Sequence, residues 1–233
     1  MYKFFAQLSL ATFLFSCVGG SPSTVELSPQ KEEKIPERNF LALGDSYTIG
    51  ESILEKDRWA NQLIELLKSD FTINRFDVVA GTGWTTRNLA DAVARTKPAG
   101  PYDMVSLMIG VNNQFNGQSI DTYKKEFTEL LETSATLAHA DTRRIFVLSI
   151  PDYSITPYAQ AYNREKIARD IDAFNKVAKD ACDKMGISYI DITTLTREHP
   201  EAAYIANDQL HFSAKMHELW ATRVVSTAKI ILR

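Results

Sequence analysis

The chain has 233 residues, 45 % of them hydrophobic and 24 % charged, with a formal net charge of −3. That composition supplies one sizeable core and excludes both a disordered chain and a disulfide-stapled miniprotein. Two cysteines make neither a disulfide framework nor a cysteine-based zinc site, and the chain has no Lys/Arg-rich run to neutralise nucleic-acid phosphates.

Met1 to Cys17 opens with Lys3, continues in an apolar stretch from Phe4 to Phe15 and closes on Ser16-Cys17. A charged start, a short apolar run and a small residue before a break describe an export signal. The run is broken by Gln7 and falls short of the roughly 20 apolar residues a spanning helix needs. Leu14-Phe15-Ser16-Cys17 resembles a bacterial lipobox, which implies cleavage before Cys17 and lipidation of its thiol. Residues 1–16 therefore read as a signal peptide. Residues 17–37, rich in Gly, Ser, Pro and charge, read as a flexible tether, and 38–233 as one domain. The expected location is the cell envelope, with the membrane reached through the lipid anchor alone.

From residue 38 apolar runs alternate with helical periodicity. Phe40–Leu43 predicts a first strand, followed by a helix with Trp59, Leu63, Ile64 and Leu67 on one face. Asp77–Ala80 predicts a second strand, with a start nearer Ile73 as the alternative, and Arg87–Arg95 a helix. Met104–Ile109 is a third strand, before a helical stripe of Tyr123, Phe127, Leu130, Ser134 and Leu137 with Asp121 as its N-cap. Ile145–Ile150 is a fourth strand and Ile187–Ile192 a fifth. Between them Ile167, Ile171, Phe174, Ala178 and Met185 mark a long helix ending at Gly186. Met216, Trp220, Val224, Thr227 and Ile231 give the closing helix, and Cys182 falls on a buried helical stripe as an inert thiol. Buried strands separated by helices require parallel pairing with both faces covered, so the fold class is a three-layer α/β/α domain with about five parallel strands.

Ligands of such sheets bind beyond the carboxyl ends of the strands. The first strand delivers Ser46 there, the second Gly83, the third Asn112, and the segment after the fifth delivers Asp208 and His211. A serine hydroxyl needs a base to take its proton during attack, and His211 is the candidate. Asp208, three residues earlier, can share one turn with it and accept from Nδ1–H, leaving Nε2 towards the serine. The Ser46 and Gly83 backbone N–H groups and the Asn112 amide are candidate donors to a tetrahedral oxyanion. Each element alone is more often a turn residue, a cap or a surface histidine. Four of them, in order and at one sheet edge, point to a serine hydrolase.

Gly44-Asp45-Ser46-Tyr47, Gly83, Gly110-Val111-Asn112-Asn113 and Asp208-Gln209-Leu210-His211-Phe212-Ser213 resemble the four signature blocks of the SGNH (GDSL-type) hydrolases. The resemblance spans nearly all of residues 38–232. It implies a flavodoxin-like fold, with Ser46 as nucleophile, His211 as base, Asp208 as its partner, and Ser46, Gly83 and Asn112 as oxyanion donors. It further implies hydrolysis of carboxylic esters or thioesters through an acyl-serine, with no metal or organic cofactor. Asn113 stands where the family commonly has Asp, and Trp84 where it often has an acidic residue.

Trp84 and Asn113 are expected near the substrate pocket. The stiff, aromatic segment Pro151–Tyr158 is expected to wall it through Tyr153, Ile155 and Tyr158, with Phe115 as a second wall. These apolar side chains lean towards a lipid-like acyl ester, as in a lysophospholipase or acyl-thioesterase. A carbohydrate O-acetylesterase and a non-catalytic binding lipoprotein are the alternatives. His139 is expected at a helix end, and His199 and His217 carry no ligand spacing, so no metal site is expected.

Overall fold

The computed structural model describes residues 35–233; the signal segment, Cys17 and residues 18–34 of the tether lie outside the described residues. Five strands form one sheet in the order β2-β1-β3-β4-β5, every neighbouring pair parallel. They are β1 (Glu37–Gly44), β2 (Thr72–Ala80), β3 (Met104–Met108), β4 (Ile145–Leu148) and β5 (Ser188–Ile190). The helices are α1 (Ser46–Ile49), α2 (Trp59–Leu67), α3 (Thr86–Thr96), α4 (Val111–Phe115), α5 (Ile120–Leu137), α6 (Arg164–Met185), α7 (Thr193–Arg197) and α8 (Ala214–Leu232). α2 packs on α8 over one face of the sheet, and α5 lies between α3 and α6 over the other. Among the described residues no helix is long and apolar enough to cross a membrane.

Every residue of β3 and β4 is buried, which is why these strands read as unbroken apolar runs. Phe40 on β1 stacks on Phe76 at 5.1 Å, and Trp59 meets the rings of Phe40 and Phe146 edge-on at 6.5 and 6.2 Å. This aromatic group joins α2 to the middle of the sheet.

Several boundaries differ from the sequence expectation, each for a local reason. β1 begins at Glu37, within the segment expected to be tether, because residues 37 and 38 already pair with Thr72 and Ile73. β2 is nine residues long, since an edge strand tolerates polar positions. Arg75 lies over the Tyr102 ring at 4.4 Å, and Asp77 accepts the Tyr102 hydroxyl at 2.5 Å. β4 ends at Leu148; Ser149 N–H still donates to Ile190 C=O, and from Ile150 on the Asn175 side chain takes over, accepting from Ile150 N–H and donating to Ile150 C=O. β5 stops at Ile190, where Asp191 turns to accept Thr194 N–H and its hydroxyl ahead of α7. The N-cap of α5 is Ser119, whose Oγ accepts Thr122 N–H, and Asp121 sits inside the first turn. α6 ends at Gly186 in the left-handed conformation, as its sequence position implied. His139 lies past the end of α5 in an exposed left-handed turn, φ 58°. Cys182 is fully buried, and burial pushes its thiol up to about 12.

The chain order sends β2 to one side of β1 and β3 to the other. Connections therefore diverge beyond the carboxyl ends of β1 and β3, opening a crevice there.

Candidate active site

β1 ends at Gly44, where a Cβ would come within 2.1 Å of Thr48 Oγ1 and 2.6 Å of the Met108 carbonyl. Only glycine lets the strand turn this tightly into α1. Asp45 caps that turn, its Oδ1 accepting Tyr47 N–H at 3.0 Å. Burial outweighs this bond and the one to its own N–H, and pushes the Asp45 carboxyl up to about 7. Ser46 is thereby held at the N-terminus of α1, 4 % exposed.

The segment after α7 folds back on itself through an Ile205–Phe212 bridge and an Ala206 N–H to His211 C=O bond of 2.8 Å. Inside that turn His211 Nδ1 lies 2.6 Å from Asp208 Oδ2. Asp208 Oδ1 accepts the backbone N–H groups of Leu210 and His211, each at 2.9 Å. Ser52, from the loop after α1, donates its hydroxyl to Asp208 Oδ2 at 2.5 Å. Partial burial works to raise the Asp208 carboxyl, but these four bonds prevail and hold it at about 2, so it is a carboxylate at any ordinary pH. The Tyr47 ring backs the imidazole edge-on at 5.7 Å.

Ser46 and His211 line one cavity of about 160 Å³, together with Tyr47, Val111, Asn112, Phe115, Tyr153, Tyr158 and Leu210. Asn112, on α4 just beyond β3, donates Nδ2–H to the Trp84 carbonyl at 2.9 Å, which uses one of its two amide protons and orients the other. Gly83 adopts φ 75°, and a Cβ there would meet nothing within 4 Å. Its left-handed backbone, not crowding, is what suits glycine. A hydroxyl and an imidazole in one cavity, the imidazole gripped by a carboxylate, can carry out acyl transfer.

A family model for GDSL-like lipases and acylhydrolases matches residues 42–219. The chain belongs to the GDSL-like lipase/acylhydrolase family. It is an ester-hydrolysing serine hydrolase. Among solved structures it is similar to TesA, with a TM-score of 0.67 and 15 % identity over 84 % of this chain and 100 % of that one. It is similar to phospholipase A1 from Streptomyces albidoflavus, with a TM-score of 0.64 and 18 % identity over 82 % of this chain and 99 % of the other. It also resembles the acetyl xylan esterase AlAXEase, with a TM-score of 0.65 and 15 % identity over 81 % and 98 % of the two chains. At these identities the likeness is one of fold. No curated protein sequence matches it.

The wall of this GDSL-family site departs in part from the expectation. Phe115, Tyr153 and Tyr158 do line the cavity. Asn113 does not, being fully buried, with Oδ1 accepting Thr86 N–H at 3.1 Å and Nδ2 donating to the Thr86 hydroxyl at 2.6 Å and to Gln118. An amide satisfied on both ends ties the start of α3 to α4 and has nothing left for a ligand. Trp84 folds back over Gly81 and meets the cavity only through its carbonyl bond to Asn112, while Ile155 packs on the core. Tyr47, Val111 and Leu210 also line the site; each stands inside a signature block beside a candidate site residue, and adjacency alone would have assigned it to the wall. Ser52 was missed, and no local pattern announces it.

Proposed function

We propose that the chain hydrolyses carboxylic esters and thioesters of apolar acyl groups through an acyl-serine intermediate. The observation that carries this reading is Ser46 and the Asp208-held His211 on one apolar cavity. Ser46 Oγ attacks the acyl carbon as His211 Nε2 takes its proton, while Asp208 holds Nδ1–H and stabilises the imidazolium. Ser46 N–H, Gly83 N–H and the Asn112 amide receive the oxyanion. Collapse breaks the bond to the alcohol or thiol, which leaves with the proton from His211. Water, deprotonated by the same imidazole, then attacks the acyl-serine, and the imidazolium returns the proton to Ser46 Oγ as the acyl bond breaks and the acid leaves.

A cavity of about 150 Å³ holds a benzene-sized group, so a short acyl chain fills the site. Phe115 and Tyr153 also line a neighbouring groove of about 540 Å³ with Ile120, Ile167 and Phe174. Longer chains run past those two rings into it, a lysophospholipase-like arrangement, and phospholipase A1 is among the similar structures. A second reading, carbohydrate O-deacetylation, is favoured by the exposed rings of Phe115 and Tyr162 beside Gln118 and Asn163, a surface on which a sugar can stack. A lipid anchor at Cys17 would bring the site close to a membrane. A Cys17→Ser variant is expected to leave the membrane fraction, and continued membrane binding would remove the anchor from the proposal.

The test is hydrolysis of p-nitrophenyl esters from acetyl to palmitoyl by the protein and by Ser46→Ala. Turnover lost in Ser46→Ala, with an optimum above acetyl, is the expected result. Equal rates in both proteins would end the acyl-serine reading, and turnover of acetyl alone would favour the deacetylase.

A further inference from the structure

We propose that Ser52 is a positioning residue of the triad, a hydroxyl that fastens Asp208 to the turn carrying the nucleophile. The inference rests on the acyl-serine reading above.

Ser52 is 156 residues from Asp208 in sequence, yet its Oγ donates to Asp208 Oδ2 at 2.5 Å. The same oxygen faces His211 Nδ1 at 2.6 Å, and Oδ1 is filled by the two backbone N–H groups of Leu210 and His211. A carboxylate offers about four acceptor sites, so this one is saturated. Three of its four donors come from its own turn. Among the described residues Ser52 alone reaches it from elsewhere, and so fixes where that whole turn, His211 included, stands relative to Ser46.

The segment bearing Ser52 is itself anchored to the nucleophile. Gly50 ends α1 at φ 65°, and Glu51 N–H donates to the Ser46 carbonyl at 3.0 Å. The Glu51 carboxylate accepts the Thr82 hydroxyl, next to the oxyanion residue Gly83. Two consecutive residues thus touch the nucleophile turn, the oxyanion loop and the triad acid. Ser52 holds φ 66°, a conformation that glycine adopts freely and serine avoids. What serine adds there is the hydroxyl, whose bond to a charged acceptor is of the stronger kind. Ser52 does not line the cavity, so it acts through Asp208 and not on the substrate.

The experiment measures kcat and KM for p-nitrophenyl acetate with Ser52→Ala and Ser52→Gly, each alone and combined with Asp208→Asn, beside Ser46→Ala. Both Ser52 variants are expected to lose on the order of tenfold in kcat, the effect of one charge-assisted hydrogen bond, with KM unchanged. Glycine relieves the backbone and alanine does not, so equal losses assign the effect to the hydroxyl. In the Asp208→Asn background Ser52→Ala should cost less than about twofold, because the bonds share one path. Wild-type kcat in both Ser52 variants, a rise in KM alone, or an undiminished loss on top of Asp208→Asn would each overturn the proposal. Turnover retained by Ser46→Ala would overturn it together with the acyl-serine mechanism.

Discussion

His217, in the first turn of α8, accepts the backbone N–H of Trp59, the first residue of α2, through Nδ1 at 3.0 Å. That bond requires a neutral ring, and burial, with a smaller contribution from His211, pushes the His217 pKa down to about 3. The unfolded chain takes up this proton near pH 6.5 and the folded one does not. The contribution of His217 to stability is therefore complete above pH 6.5 and falls as pH drops towards 3, by at most about 1.4 kcal/mol per pH unit. Urea unfolding of the protein and of His217→Leu from pH 7 to 4 checks this. The variant should be weaker by about 1–3 kcal/mol at pH 7, where Trp59 N–H loses its partner, and the two curves should converge in acid. Parallel curves would refute it.

Asn112→Ala removes one of the proposed oxyanion donors and the side-chain bond to the Trp84 carbonyl. Turnover should fall on the order of 10² to 10³-fold, with the far-UV circular dichroism unchanged. A loss smaller than about fivefold would remove Asn112 from the oxyanion site.

Asp152 is fully buried at the root of the loop that supplies Tyr153 and Tyr158, and Arg197 Nε meets its Oδ2 at 2.7 Å. Arg197 also binds Asp172 at 2.8 Å, tying that loop to α6 and α7. Arg197→Met strands a buried carboxylate and should cost about 3–5 kcal/mol in denaturant unfolding. Adding Asp152→Leu should recover part of that loss. A neutral single substitution would show that the pair does not hold the loop.

Phe115 is 48 % exposed and stands between the catalytic cavity and the larger groove, so its truncation should leave the fold intact. Phe115→Ala opens one space into the other. The ratio of kcat/KM for octanoyl over acetyl esters should rise several-fold, and an unchanged ratio would mean that the groove takes no part of the acyl chain.

The elements and their order were legible because five apolar runs of strand length alternate with long 3.6-residue stripes, and both periodicities follow from backbone geometry. Their ends were less legible. β4 and β5 stop where Asn175 and Asp191 capture backbone groups, and a side chain arriving from another element leaves no mark in the local pattern. The start of β2 stayed open between Ile73 and Asp77 because Asn74 and Arg75 look unlike a strand until the Tyr102 ring is seen against Arg75. At the site, Ser46, Gly83, Asn112, Asp208 and His211 stood out because each follows a strand or sits in a short motif. Asn113 shares that motif with Asn112, and nothing in one dimension says that the first amide faces the cavity and the second faces Thr86.

The sequence by itself determined the alternation of strand and helix, the parallel sheet and the edge where polar motif residues gather, since periodicity and composition are local properties of the chain. The tertiary structure alone decided which of those residues meet. The β2-β1-β3 order places the ends of β1 and β3 at one crevice, the Ile205–Phe212 turn points His211 into it, and Ser52 arrives from 156 residues away to complete the Asp208 carboxylate. Such long-range hydrogen bonds depend on the relative placement of elements to within a fraction of an ångström, and packing of the whole core sets that placement.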